Sequence, residues 1–281
     1  MSRRTELLLP FVLVSFAANS LITRHVVQAG LLDAGLLTGI RFVSGAVALL
    51  VLSIALHERP QVGRPNAVPA LWLGIYAVCI SYGYRRIGAA AGTFVFYATV
   101  LITLVATDLL RRVMVPARRL VGAGVALAGL AVLASASIST VTPLGVALLA
   151  ATGAAWGLYT AAGRTNADPR IATTGHFTAL AAVLVVPSGV LLATTRVTAP
   201  GLEWAVLMGA GTTAFAYVAW YACQRALSAM SAGTVQLAIP VLTAIGAVAL
   251  LDEHVTTRLV LAAALVALGM WLARVRAATQ R

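Results

Sequence analysis

Chemistry in this chain concentrates first on Arg41, the eighth residue of a stretch, 34–56, that is otherwise without charge. Placing a guanidinium inside hydrocarbon costs at least about 2.5–3.5 kcal/mol, so a residue of this kind faces a cavity or a partner. Its planar fork matches a carboxylate or a phosphate. The competing reading is a side chain that stretches along its helix to the nearer end of the run. Asn19 and Ser20 lie deep in the run 7–27 and hydrogen-bond either a ligand or a neighbouring helix. Trp156, Tyr159 and Thr160 fall at spacings of three and four and share one helix face. Tyr217, Trp220, Tyr221 and Gln224 form a similar stripe. Both stripes fit a cavity wall or an aromatic belt at the membrane interface, and the belt suits Tyr221 and Gln224 best. Gln236 and Pro240 are four apart; proline frees a backbone carbonyl, which together with the glutamine either binds a polar ligand or simply kinks the helix. His176 is either a proton-responsive group or a packed histidine.

The remaining titratable residues exclude several classes of activity. Glu6, Asp33, Glu58, Asp108, Asp168, Glu203, Asp252 and Glu253 all lie at the ends of apolar runs or between them. None stands mid-run, where a proton/cation exchanger holds proton and cation in turn. His25, His57, His176 and His254 are scattered, and no HExxH, GxSxG or P-loop spacing occurs. Cys79 and Cys223 sit singly in apolar runs, which makes neither a disulfide framework nor a metal site. All twenty basic residues are arginine, so no lysine is present to form a Schiff base. No catalytic residue, metal or cofactor is expected, and the charge rings of a channel are missing.

These residues must be carried by membrane helices. The 281 residues are 60% hydrophobic and only 10% charged, with a mean hydropathy of +0.94. A soluble domain carries about 25% charged residues. The net charge of +12, which in a soluble protein suggests nucleic acid, is here explained by arginines in loops that stay inside, so no nucleic-acid partner is expected. About 20 apolar residues cross a bilayer, and cutting the chain at charges and turn residues predicts ten spans: 7–27, 34–56, 67–84, 87–107, 120–137, 143–163, 171–194, 203–224, 231–251 and 259–273. Arg3-Arg4, the apolar run and Ala17-Ala18 resemble a signal peptide, but this run has a counterpart later in the chain and is read as span 1. With the N-terminus inside, fourteen arginines fall on the cytoplasmic side and five (Arg24, Arg85, Arg86, Arg196 and Arg258) on the other. Both termini are therefore expected in the cytoplasm.

The two halves repeat. Ala91-Gly92-Thr93 and Val100-Leu101 match Ala232-Gly233-Thr234 and Val241-Leu242 at an offset of 141. Residues 119–134 align with 258–273 at an offset of 139, and Arg24 corresponds to Arg164 at 140. Five spans per half force the second half to insert upside down. The expectation is an all-α membrane protein of ten transmembrane helices in two inverted repeats, residues 1–138 and 139–281. Inverted repeats of this type mark secondary transporters whose substrate site lies where the repeats meet.

Over nearly its whole length the sequence resembles the EamA-domain family of the drug/metabolite transporter superfamily. The matching residues are Asn19-Ser20 with Arg24, Arg41-Phe42, AWGLYTAAGR at 155–164, Asp168-Pro169, GHF at 175–177, AYVAWYA at 216–222, VQLAIPV at 235–241 and LLDEH at 250–254. The resemblance implies ten helices, inverted repeats, a central cavity and export or exchange of small metabolites at the inner membrane. Span 4 departs from the pattern: around Tyr97 it reads FVFYATVLIT, without the glutamine and proline of span 9, so its cavity wall is more aromatic. The expected partners are a small-molecule substrate, with amino acids or related carboxylates first, and the lipid bilayer. A duplicated chain encloses its own cavity, so a monomer suffices and a dimer is compatible.

Overall fold

The computed structural model describes residues 3–59, 64–87, 89–135, 141–163, 168–250 and 254–273. Their helices are α1 (Arg3–Gln28), α2 (Ala34–Ala55), α3 (Arg64–Gly83), α4 (Ala89–Leu110), α5 (Ala117–Ala134), α6 (Pro143–Gly163), α7 (Pro169–Thr194), α8 (Ala199–Leu207), α9 (Ala216–Gln224), α10 (Ala229–Gln236), α11 (Ala238–Leu250) and α12 (Thr257–Ala273). A π-helical segment, Met208–Phe215, joins α8 to α9, so Ala199–Gln224 is one crossing, the eighth. The ninth, Ala229–Leu250, is α10 and α11 with a break at Leu237. Nine of these helical stretches, among the described residues, are long and apolar enough to cross a membrane, and α12 adds a shorter tenth of 17 residues. The fold is an all-α, ten-crossing membrane protein. Helices are what the hydrocarbon permits, because each satisfies its own backbone polar groups where no water can.

Several helices begin earlier than their apolar runs. Side chains that accept the first free N–H groups set the starts of several: Asp33 for α2, Asp168 for α7, Thr198 for α8 and Ser228 for α10. A cap lies before the first apolar residue, so a reading by hydropathy starts the element late. Thus spans expected at 171–194, 203–224 and 259–273 begin at Pro169, Ala199 and Thr257. The boundary expected at 138/139, together with Arg164, Asp252, Glu253 and Arg274, lies outside the described residues.

Packing obeys the repeat. Helix α2 lies on α7, and α5 on α12, each pairing a helix with its own counterpart. The contacts of α6 with α3 and α4 are mirrored by those of α1 with α9 and α11, and α3 on α7 is mirrored by the π segment and α8 on α2. Exchanging the two halves therefore maps observed contacts onto observed contacts. Outward faces are apolar, as lipid contact requires: Leu7, Val51, Ile102, Val186 and Trp271 are all exposed.

Without a hydrophobic drive between helices in lipid, close approach depends on small residues. The α5–α12 crossing is built on Gly122 and Gly269: a Cβ on Gly122 would lie 2.5 Å from the Gly269 carbonyl oxygen. Gly124, one residue beyond Ala123 on the same helix, has nothing within 4 Å. Gly122→Val should destabilise the protein by about 1–3 kcal/mol through overpacking, whereas Gly124→Val should leave it unchanged. Unfolding in detergent measures both, and equal stabilities would remove this crossing from the account.

Candidate functional site

The middle of the bundle is a continuous aromatic cluster with a few polar groups set in it. Phe16 of α1, Tyr76 of α3 and Tyr217 of α9 pack about Trp156 of α6. Trp156 meets Phe16 at 5.6 Å, Tyr76 at 5.0 Å and Tyr217 at 5.3 Å between ring centroids. Phe42 of α2 and Phe177 of α7 close the cluster from one side, 5.3 Å apart, and Phe177 lies 5.3 Å from Tyr217. Edge and tilted arrangements predominate, as ring quadrupoles favour.

Arg41 is set into this wall. It is 7% exposed, its Nη2 donates to the Tyr217 hydroxyl at 3.4 Å, and its guanidinium carbon lies 4.6 Å from the Phe42 ring centroid. The Tyr76 hydroxyl is a further polar neighbour, and its Nε has no hydrogen-bond partner among the described residues. Several carboxylates are engaged elsewhere: Asp33 pairs with Arg85 at 3.4 Å and Glu58 with Arg170, whose Nε donates at 2.8 Å. Asp108 accepts the Met230 backbone N–H at 3.2 Å and so holds the start of α10. No carboxylate pairs with Arg41 among the described residues, which leaves a buried cation held by neutral hydroxyls and π faces. The backbone around it is tight: a Cβ on Gly209 of the π segment would collide with the Arg41 carbonyl oxygen.

The structure gathers most of the expected site residues and separates a few. Trp156 donates its indole N–H to Gln236 Oε1, and Gln236 in turn donates to the Ala232 carbonyl at 3.0 Å. Pro240 explains the break between α10 and α11, since it has no N–H to offer the Gln236 carbonyl four residues back. Tyr159 stacks on Trp156 at 5.6 Å and 26°, and Trp220 donates toward Thr160 Oγ1 at 3.5 Å. Tyr97 is buried beside Phe96, 4.5 Å away, on the α4 wall. Tyr221 and Gln224, for which an interfacial belt was the natural reading, are wholly buried.

Asn19 is spent on the scaffold. Its amide donates to the Thr212 carbonyl at 3.2 Å and accepts from the hydroxyls of Thr212, at 2.5 Å, and Thr213, at 3.3 Å, tying α1 to the π segment. Ser20 lies apart from the cluster: it is exposed and donates to the Phe16 carbonyl one turn back, at 3.3 Å.

The EamA-like transporter family matches residues 143–275, the second five-helix half. An uncharacterised protein of Pseudomonas aeruginosa is 37% identical over 262 residues, covering 92% of this chain and 90% of its own length. The chain belongs to the EamA-like transporter family. That family lies within the drug/metabolite transporter superfamily and is one of transporters, not enzymes. A solved crystal structure shares the fold over 96% of both chains, with a TM-score of 0.82 at 19% identity.

Two residues of this EamA-like site, Tyr76 and Phe16, are missed by reading motifs alone. The repeat offsets point to both: Tyr76 corresponds to Tyr217 at 141, and Phe16 to Trp156 at 140. The cluster is thus made of repeat-related pairs in mutual contact. Its asymmetry lies in α4, which runs unbroken where α10 and α11 break.

Because Asn19 makes its bonds to the π segment and Ser20 bonds only its own helix, the two should respond differently to removal. Asn19→Ala should lower stability in detergent by about 0.6–1.7 kcal/mol, the range for interhelical bonds in membranes. Ser20→Ala should match wild type. If Asn19→Ala is as stable as wild type, the π segment is held by packing alone.

Proposed function

We propose that this EamA-like protein is a secondary transporter that moves small organic metabolites bearing a carboxylate, amino acids first among them, across the bacterial inner membrane. It works by alternating access, in export or exchange, and both termini face the cytoplasm. The reading is carried by Arg41, a buried guanidinium with two tyrosine hydroxyls about it and no carboxylate paired with it among the described residues. A buried charge calls for a countercharge, and a substrate carboxylate supplies one in the geometry the guanidinium fork prefers. Trp156, Tyr217 and Tyr76 offer apolar area for the rest of the molecule, while Gln236, Tyr97, Tyr159, Trp220 and Pro240 complete the wall. Asn19 takes a supporting place by tying α1 to the π segment.

The inverted architecture supports alternating access, because two similar halves of opposite orientation exchange conformations at similar energy. Fourteen arginines against five support the orientation.

The test is tracer exchange in sealed proteoliposomes loaded with an unlabelled amino-acid mixture and supplied with the labelled mixture outside. Wild type should accumulate label. Arg41→Ala should insert and purify normally but exchange about 10- to 150-fold more slowly, the equivalent of 1.5–3 kcal/mol for a charge-assisted bond. Arg41→Lys, which keeps the charge without the fork, should fall between them. Wild-type rates in Arg41→Ala would discard the site, and no accumulation by wild type would discard amino acids as the substrate class.

A further inference from the structure

Counted from the aspartates that cap α2 and α7, Arg41 and His176 occupy the same position. Each lies eight residues after its cap, Asp33 or Asp168, and each is followed by phenylalanine; Thr38 and Thr173 correspond as well. At 1.5 Å per residue both sit about 12 Å along their helices from opposite faces of the bundle. Phe42 and Phe177, the residues that follow them, meet 5.3 Å apart where α2 crosses α7. The two basic residues are therefore repeat partners on either side of the middle.

His176 stands among tyrosine rings. It is wholly buried, flanked by the rings of Tyr159 and Tyr221 at 5.6 Å each. Among the described residues neither imidazole nitrogen has a hydrogen-bond partner, nor has the Tyr159 hydroxyl, nor either amide atom of Gln224. Gln224 lies with Tyr221 against Gly163, close by on the same side. Unsatisfied buried polar groups are rare because each carries its full desolvation penalty. The imidazole nitrogens and the Tyr159 hydroxyl, on rings 5.6 Å apart, are thus groups that can take a polar partner.

We propose that His176, when protonated, is a second anion-binding station, which holds the substrate carboxylate in the alternate access state as Arg41 does in the state described here. The proposal rests on the reading of Arg41 as the partner of an anion. When inverted repeats exchange conformations, repeat-related positions exchange surroundings, so the role of Arg41 passes to His176. Arginine carries its charge at all working pH values, whereas imidazole gains its charge only with a proton. An anion handed to His176 therefore moves with one proton, taken up by the imidazole from one side and released to the other.

The titratable groups around the imidazole are few. Helix α6 presents Tyr159, and α9 presents Tyr221 with Tyr217 beyond Phe177. Helix α2 presents Arg41 across the phenylalanine pair and, at its end, Glu58 held by Arg170; α3 presents Tyr76, against Arg41 and Tyr217.

Exchange of the labelled amino-acid mixture is compared at pH 5.5 and pH 8.0 in wild type, H176Q, H176R, R41A and the interchange R41H/H176R. Wild-type exchange should fall about tenfold or more as pH rises and the imidazole loses its proton. H176Q should be slow at both pH values, and H176R should exchange without pH dependence. The interchange should recover exchange, with pH dependence restored through position 41. H176Q with the wild-type rate and profile beside an inactive R41A overturns the station and leaves the Arg41 reading standing, whereas an active R41A removes that reading itself. H176R as inactive as H176Q at pH 5.5 makes the residue a packing element and also overturns the proposal.

If wild type moves none of the mixture, the stations are read by thiol access. His176→Cys and Arg41→Cys are made with Cys79 and Cys223 replaced by alanine, and a membrane-impermeant sulfonate thiol reagent is applied to one face at a time. Position 176 should react only from the face where α7 begins, and position 41 only from the opposite face. Reaction of both from one face, or of 176 from neither, overturns the proposal.

Discussion

The centre of this protein is organised by a guanidinium that has been taken out of water and has no carboxylate paired with it among the described residues. Arg41 cannot shed its proton, and the hydroxyls of Tyr76 and Tyr217 with the Phe42 ring offset only part of what hydration would supply. The surrounding arrangement serves to keep it there. Gly209 lets the π segment press against its backbone, Asn19 fastens that segment to α1, and the Phe42–Phe177 contact anchors α2 to α7. Charge pairs toward the helix ends engage Asp33 with Arg85 and Glu58 with Arg170, and neither carboxylate pairs with the central cation.

Duplication supplies the geometry in which such a site can serve two faces. Phe16 and Trp156, Tyr76 and Tyr217, and Phe42 and Phe177 are repeat partners that touch across the middle. The departures from symmetry are chemical. Arginine faces histidine, and the aromatic, unbroken α4 faces a crossing that Pro240 breaks at Leu237. A perfectly symmetric chain would present the same surroundings from both halves; these differences make the two halves chemically unlike.

Local signals in the sequence carried much of the site. The charge of Arg41 inside an apolar stretch marked it before any contact was known, and the stripe from Trp156 to Thr160 placed those side chains on one face. Local signals failed where a residue's meaning depended on a distant partner. Asn19 reads equally as a ligand group or an interhelical one until Thr212 and Thr213, nearly two hundred positions on, are seen to take its hydrogen bonds. Ser20, its neighbour, turns out to face outward. Tyr76 carries no motif, and its place beside Arg41 follows from the repeat combined with packing.

What the sequence determined by itself was the number of crossings, the membrane environment and the inverted duplication, because hydrocarbon accepts only apolar helices of a set length and five crossings must reverse a copied half. Tertiary structure alone decided which polar groups are spent on one another and which are left over. A hydrogen bond in a helical membrane protein is made between residues far apart in the chain, at crossings set by glycine contacts and ring packing. Trp156 thus finds Gln236 and Asn19 finds the π segment, while Arg41 and His176 retain groups with no partner among the described residues.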